Sequence, residues 1–224
     1  MEVLTILTDV EIKEGELPLF RGAVIAAARD FPDVLFHDHT SDGFRYAYPL
    51  IQYKILNGYA AVVAIDGAVP LLERVFPQDG SVRTMRIGRR VVDVSVADVY
   101  RQELEVEAVD GRLQYRMYRW LPLNQENYKA YMSLVSLAEK YYFLETLLVG
   151  NILSFAKGVG IFFDSEVRAS IIDTSPSGRC RFKGVDMLGF DVKFLSNVAI
   201  PDFVGLGKGT SLGFGTVISD KSIK

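Results

Sequence analysis

The chain has 224 residues, of which 49% are apolar and 24% charged, so it can bury the core of one large domain or two smaller ones. Its formal net charge of −3 argues against a uniformly basic nucleic-acid-binding surface. A single cysteine excludes an internal disulfide, and no basic, apolar leader opens the sequence. These features predict a cytoplasmic protein with no membrane partner.

The first half of the chain alternates strand and helix patterns. Pro18 precedes an apolar helical run, and Asn57-Gly58 is a strong hairpin signal. The predicted elements are a strand at 3–10, a helix at 19–28, extended segments at 34–40 and 44–56, a strand at 59–65, a helix at 67–76 and β segments over 82–109. This β-α-β-β-α-β order is the ferredoxin-like arrangement.

The second half repeats much of this pattern. It contains a predicted strand at 114–121, a helix over 124–156, strands at 167–173 and 179–194 around the turn at 175–178, and a closing strand that ends near 218. We therefore predict an α+β fold of two tandem ferredoxin-like (RRM-like) halves with a C-terminal glycine-rich loop. The domain boundaries are predicted at 1–110 and 111–224.

The only two histidines, His37 and His39, lie two residues apart. In an extended segment they would share one face, with Asp38 on the other. Histidine is the side chain best suited to transfer protons near neutral pH. A metal site would need a carboxylate as third ligand, and an ordinary polar loop is a further alternative. We predict no metal and no cofactor.

The segment that follows carries polar side chains at alternate positions. On a strand, one face would present Tyr46, Tyr48, Leu50, Gln52 and Lys54. Tyrosine hydroxyls, an amide and an ammonium group suit contact with RNA bases and phosphate. Pro49 argues against a central position in a sheet. The alternative is an edge strand with amphipathic outer residues.

Five glycines occur between Gly205 and Gly215, with Lys208 among them and Phe214 before the last. Such a run lets the backbone turn sharply and exposes N–H groups that suit a polyanion. It does not open a helix, and its spacing fits neither the dinucleotide fingerprint nor the nucleotide P-loop. The alternative is a flexible hairpin without a ligand.

The segment from Val204 to Val217 resembles the C-terminal glycine-rich signature of the RAMP superfamily, and within it the CRISPR-associated endoribonucleases that cut repeat RNA to make guide RNAs. The stretch from Leu35 to Lys54 resembles the histidine region that this family places after its first helix. The resemblance implies metal-independent cleavage, in which a ribose 2′-OH attacks the adjacent phosphate and leaves 5′-OH and 2′,3′-cyclic phosphate ends.

The resemblance also implies roles for individual residues. The implied catalytic residues are His37 and His39 for proton transfer, Lys54 for charge, and Tyr48 as one of three candidate tyrosines with Tyr46 and Tyr53. The implied RNA contacts are Gly205, Gly207, Lys208, Gly209, Gly213, Phe214, Gly215, Tyr46 and Gln52. Which histidine is the base stays open.

Local basic clusters could supply an RNA-binding groove on an acidic chain. They are Arg83, Arg86, Arg89 and Arg90; Arg112, Arg116 and Arg119; and Arg179, Arg181 and Lys183. Each cluster could instead be a solvated surface. The expected partner is CRISPR repeat RNA, with other CRISPR-associated proteins as further candidates, and both a monomer and a homodimer stay open.

Two other functions remain compatible with the sequence. One is a non-catalytic RNA-binding subunit of a CRISPR effector complex, which would share the fold and the glycine loop. The other is an acidic ferredoxin-like interaction or regulatory domain without an RNA partner, which the net charge favours.

Overall fold

The computed structural model describes residues 1–30 and 48–220. Its backbone contacts divide the chain into two compact units. The N-terminal unit comprises residues 1–104 and 211–213, and the C-terminal unit comprises residues 105–210 and 214–224. Each contains a four-stranded antiparallel sheet and α-helices, so the predicted α+β fold of two ferredoxin-like halves is confirmed.

The N-terminal unit has six strands and two helices among its described residues. They are β1 (Glu2–Glu11), α1 (Leu17–Ala27), β2 (Ile51–Leu56), β3 (Tyr59–Ile65), α2 (Val69–Val75), β4 (Arg83–Ile87), β5 (Arg90–Val94) and β6 (Val96–Glu103). The main sheet has the order β2-β3-β1-β6, and β4 and β5 form a separate hairpin. The main sheet and its two helices follow the predicted β-α-β-β-α-β order.

The local sequence explains where α1 begins and how β2 is connected to β3. Pro18 lies in the first turn of α1, where a missing N–H costs no helical hydrogen bond. Asn57 and Gly58 connect β2 to β3 with φ angles of 52° and 87°, the left-handed pair that a tight hairpin needs. Alternate residues of β3, Ala60, Val62 and Ala64, belong to a core that includes side chains of both helices.

The C-terminal unit consists of β7 (Ala108–Trp120), α3 (Gln125–Ser133), α4 (Leu137–Gly158), β8 (Ala169–Phe182), β9 (Val185–Val198) and β10 (Thr216–Ser219). Its sheet order is β10-β7-β9-β8. The glycine-rich segment lies between β9 and β10, where the N-terminal unit has α2 and the β4–β5 hairpin. In the part of the chain that the structure describes, no helix is both long and apolar enough to cross a lipid bilayer.

The single helix predicted over 124–156 is two helices. Leu134 adopts extended dihedral angles and ends α3. Ser136 then caps α4, because its Oγ accepts a hydrogen bond of 3.1 Å from the Glu139 N–H while the Glu139 carboxylate accepts one of 2.9 Å from the Ser136 N–H. This reciprocal capping box starts a new helix in the middle of a periodic pattern.

The predicted turn at 175–178 is also corrected by the structure. These residues lie within β8, where Gly178 has a φ of 74° at a break in the pairing register with β9. The hairpin turn is Lys183-Gly184, with φ angles of 49° and 81°. A glycine with positive φ can occupy a β-bulge within a strand as well as a turn between strands, and the sequence pattern alone does not distinguish the two.

Candidate functional site

Three of the predicted site residues, His37, His39 and Tyr46, lie outside the described residues. Their proposed roles in proton transfer and RNA contact therefore remain predictions. The described residues of the same region begin at Tyr48, and β2 starts at Ile51, two residues after Pro49. In the sheet order, β2 is an outer strand of the N-terminal unit, which is where a neighbouring proline is tolerated.

Tyr48 and Gln52 are joined by a hydrogen bond. The Gln52 side-chain amide donates to the Tyr48 hydroxyl at 2.8 Å and to the Pro49 carbonyl at 3.1 Å. Gln52 is fully buried and Tyr48 is half-buried. The structure thus holds the tyrosine ring in a defined place beside β2. Leu50 is partly buried and packs against the core that includes side chains of α1 and α2.

Lys54 is buried completely, with 0% of its surface exposed. Removal from water disfavours the ammonium form and lowers the pKa of Lys54 to about 7. The neighbouring Tyr53 lies on the opposite face of β2. Burial raises the pKa of Tyr53, in contrast to that of Lys54, because the charged form of tyrosine is the phenolate. At neutral pH the Lys54 amine can therefore exist in both its charged and its neutral form.

Within the C-terminal unit, the glycine-rich segment packs closely against its own strands. Gly215 has a φ of 65°, and a Cβ added there would lie 2.0 Å from the Leu206 carbonyl oxygen. Leu206 and Gly215 are also hydrogen-bonded, with the Leu206 N–H donating to the Gly215 carbonyl at 2.9 Å. Gly205 forms the adjacent bridge with Thr216. A side chain at 215 would separate these two backbones.

Gly207 and Gly209 have positive φ angles of 85° and 75°, and a Cβ at either position would also meet neighbouring side chains. A Cβ at Gly207 would lie 2.7 Å from the Asn151 side-chain oxygen and 2.9 Å from the Trp120 indole nitrogen, which are themselves hydrogen-bonded at 2.8 Å. A Cβ at Gly209 would lie 2.8 Å from the Phe214 ring. The loop is therefore a packed element and not a flexible hairpin.

Residues 211–213 belong to the N-terminal unit, where they lie along β2. Leu212 forms a parallel bridge with Tyr53, and the Tyr53 N–H donates to the Ser211 carbonyl at 3.1 Å. A Cβ at Gly213 would lie 3.1 Å from the Leu17 side chain. This short segment satisfies backbone groups of a strand that would otherwise be open at its edge.

Lysine and arginine side chains surround two aromatic rings beside the glycine loop. Phe182 and Phe214 meet edge to face with ring centroids 5.8 Å apart. The Arg119 guanidinium lies 4.6 Å from the Phe214 centroid, and the Lys208 and Lys183 amines lie 5.8 Å and 5.6 Å from the Phe182 centroid. We call these five residues the cation–aromatic cluster. It places three positive charges next to the loop backbone.

Sequence reasoning assigned Lys208 and Phe214 to RNA contact but missed Arg119 and Phe182 as their neighbours. Arg119 lies at a bulge where β7 shifts its register against β9, and its φ is 53°. The Asp191 carboxylate accepts a hydrogen bond of 2.8 Å from the Arg119 N–H and holds this bulge. Arg119 stood out only as the last member of a basic cluster, and no sequence signal pointed to Phe182.

No group of three or more histidine, cysteine, aspartate or glutamate side chains could hold a metal ion within residues 1–30 and 48–220. The two histidines lie outside these ranges.

Family models identify both halves of the chain. The model of the Cas6b N-terminal domain matches residues 1–105, and that of the Cas6b C-terminal domain matches residues 107–219. The chain belongs to the Cas6b family, so the resemblance found in the glycine-rich and histidine segments is confirmed at the level of the family.

Individual proteins are similar to this chain in fold or in sequence. A solved structure of Cas6b is similar over 98% of this chain and 100% of its own, with a TM-score of 0.79 and 25% sequence identity. A structure described as the CRISPR RNA processing endoribonuclease Cas6b has the same fold, with a TM-score of 0.68 and 24% identity over 98% of this chain and 100% of its own. An uncharacterized protein of Methanocaldococcus jannaschii, MJ0978, is 33% identical over 115 residues, which are 51% of this chain and 77% of the relative.

Proposed function

We propose that this protein is a metal-independent endoribonuclease that cleaves CRISPR precursor RNA within its repeats. The observation that carries the proposal is the match to both Cas6b domain models, which together extend over residues 1–105 and 107–219. The cation–aromatic cluster beside the packed glycine loop adds positive charge that suits an RNA backbone.

The proposed reaction is an internal transesterification. A base removes the proton of a ribose 2′-OH, and the resulting oxygen attacks the adjacent phosphorus. The bond from phosphorus to the 5′ oxygen breaks, and that oxygen receives a proton. The products carry a 2′,3′-cyclic phosphate and a 5′-OH. His37 and His39 are the proposed proton carriers, because imidazole gives and accepts protons near neutral pH.

Lys54 is proposed to serve the same reaction by supplying positive charge. A buried amine with a pKa of about 7 is charged in part of the molecules at neutral pH. An approaching phosphate would favour its charged form, because an anion raises the pKa of a nearby amine. The ammonium would then stabilise the negative charge that develops on the phosphate oxygens. Tyr48, held by its hydrogen bond to Gln52, would orient the RNA at the same strand.

The test is cleavage of a panel of CRISPR repeat RNAs in EDTA by the wild-type protein and by the His37→Ala/His39→Ala variant. We expect one discrete cut with a 2′,3′-cyclic phosphate end, and loss of the cut with retained RNA binding in the variant. An RNA with a 2′-deoxy nucleotide before the cut should bind and stay intact, because it lacks the attacking oxygen.

Asp38→Ala is the matched control, since it changes the residue between the histidines and leaves both imidazoles in place. It should cut at a rate close to that of the wild type. Binding of repeat RNA without cleavage by the wild type would point to the non-catalytic subunit instead. Cleavage of the 2′-deoxy RNA at the same position would contradict the 2′-OH mechanism.

A further inference from the structure

A pocket of about 500 Å³ lies in the C-terminal unit, on the sheet formed by β7, β9 and β8. It is lined by residues 110–112 of β7, 168–170 at the start of β8 and 195–197 of β9. None of these residues belongs to the histidine segment, to β2 or to the glycine loop. Its lining includes two arginines, Arg112 and Arg168.

The pocket arises from a register break between β7 and β9. Ala108 pairs with Val198 and Leu113 pairs with Ser196, so residues 109–112 lie opposite Asn197 alone. Several residues of β7 thus face one residue of β9, as at a β-bulge, and the pocket lies at this irregularity beside Asn197. Such a bulge changes the direction of the side chains that it carries, and Arg112 is one of them.

The floor of the pocket is fixed by hydrogen bonds. The Arg168 N–H donates to the Asn197 side-chain oxygen at 2.7 Å, and the Asn197 side-chain amide donates to the Glu166 carbonyl at 2.9 Å. The Ser196 hydroxyl donates to the Arg168 carbonyl at 3.1 Å. Asn197 and Ser196 are both nearly fully buried. The backbone of Arg168 is therefore fixed by hydrogen bonds at both its N–H and its carbonyl group.

The guanidinium groups of Arg112 and Arg168 are exposed, and in the described parts of the chain neither makes an ion pair or a side-chain hydrogen bond. Other arginines of this acidic protein are paired with carboxylates, for example Arg179 with Asp186 at 2.7 Å and Arg116 with Asp220 at 3.2 Å. Two arginines at a rigid concave site, with their donors available, are arranged for an anionic ligand.

We propose that this pocket binds one nucleotide unit of single-stranded RNA, with its phosphodiester on Arg112 and Arg168, and this rests on the proposed RNA-processing function. Asp110 in the lining opposes a free, doubly charged phosphate. A carboxylate is, however, a good acceptor for a ribose 2′-OH, which distinguishes RNA from DNA. The pocket volume lies in the usual range for small-molecule sites, which is roughly 300–1,000 Å³.

The test is RNA binding by the Arg112→Ala/Arg168→Ala variant, measured by fluorescence anisotropy over a series of KCl concentrations. The RNAs are an uncut 2′-deoxy-substituted repeat and an unstructured oligouridine. We expect weaker binding of both, with the slope of log affinity against log salt reduced by about 1.4, since each lost contact to a single strand removes about 0.7.

Lys129→Ala/Lys157→Ala is the matched control, because it removes two exposed positive charges from α3 and α4 of the same unit. It should leave affinity and salt slope close to those of the wild type. Equal losses in both double variants would overturn the pocket and indicate only a general charge effect. Unchanged binding in the arginine variant, with normal repeat cleavage by the wild type, would overturn the pocket while the proposed function stands.

Further measurements with oligouridine, oligodeoxyuridine and inorganic phosphate distinguish the possible ligands of the pocket. Oligouridine binding that depends on the arginines, in a protein that cuts no repeat, would support the pocket and contradict the proposed function. Equal affinity for oligodeoxyuridine would overturn the role of Asp110 in reading ribose. Competition by inorganic phosphate alone at low millimolar concentration, lost in the arginine variant, would overturn the RNA assignment in favour of a free-anion site.

Discussion

Replacement of Gly215 by alanine tests whether close packing within the protein requires a glycine at this position. The backbone φ of 65° alone costs a residue with a Cβ about 1–2 kcal/mol. The new Cβ would also lie 2.0 Å from the Leu206 carbonyl oxygen, and relief of such overpacking costs about 1–3 kcal/mol. We expect Gly215→Ala to lower the free energy of unfolding by about 2–5 kcal/mol.

Gly178→Ala is the control that separates these two contributions. Gly178 has a φ of 74°, yet no atom lies within 4 Å of the position of its Cβ. It should therefore lose only the conformational part, about 1–2 kcal/mol. In thermal unfolding monitored by circular dichroism, the difference between the two variants should be roughly 2–12 °C, because 1 kcal/mol shifts the Tm of a chain of this size by about 2–4 °C.

Equal Tm values for Gly215→Ala and Gly178→Ala would refute this reasoning. They would mean that the contact with Leu206 is relieved without cost, and that close packing does not require the glycine. A wild-type Tm together with lost RNA binding would instead indicate that the glycine serves the ligand alone.

Two further predictions concern single lysines. Burial lowers the pKa of Lys54 to about 7, below its value in the unfolded chain. Between about pH 7 and 10 the unfolded chain therefore binds more protons than the folded protein. The free energy of unfolding should rise with pH in this range, by up to about 1.4 kcal/mol per pH unit. Urea unfolding at several pH values should find this rise absent in Lys54→Met; above about pH 10 the raised pKa of Tyr53 acts in the opposite direction. Lys208→Ala should leave the Tm unchanged and reduce the salt slope of single-stranded RNA binding by about 0.7, measured by anisotropy; an unchanged slope would exclude a phosphate contact.

The order of elements could be predicted from the sequence because local signals and tertiary structure agree. Asn57-Gly58 forms the expected tight turn, and Pro18 opens the expected helix. The signals failed where one residue type serves two purposes. Gly178 lies at a bulge and Gly184 forms the turn, although both have positive φ angles.

The candidate site could be predicted only in part, for a different reason. Alternation along a strand reports which residues share a face, and it placed Gln52 and Lys54 together correctly. It does not report what covers that face, so full burial of Lys54 and its lowered pKa could not be expected from the sequence. The pairing of Arg119 with Phe214 depends on a bulge in β7, which only the register with β9 reveals.

The net negative charge is compatible with RNA binding because the local arrangement of charges, and not their sum, sets the field at a site. Within the described residues, some acids are held in ion pairs. Arg101 contacts both Glu2 and Glu73, and Asp220 is paired with Arg116 and lies 3.7 Å from Lys193. Exposed pairs of this kind contribute little stability, but they cancel charge locally. Beside the glycine loop, the Lys183 and Lys208 amines lie over the Phe182 ring, and within the described residues neither forms an ion pair. An acidic chain can thus present local positive charge where its lysines lie over aromatic rings.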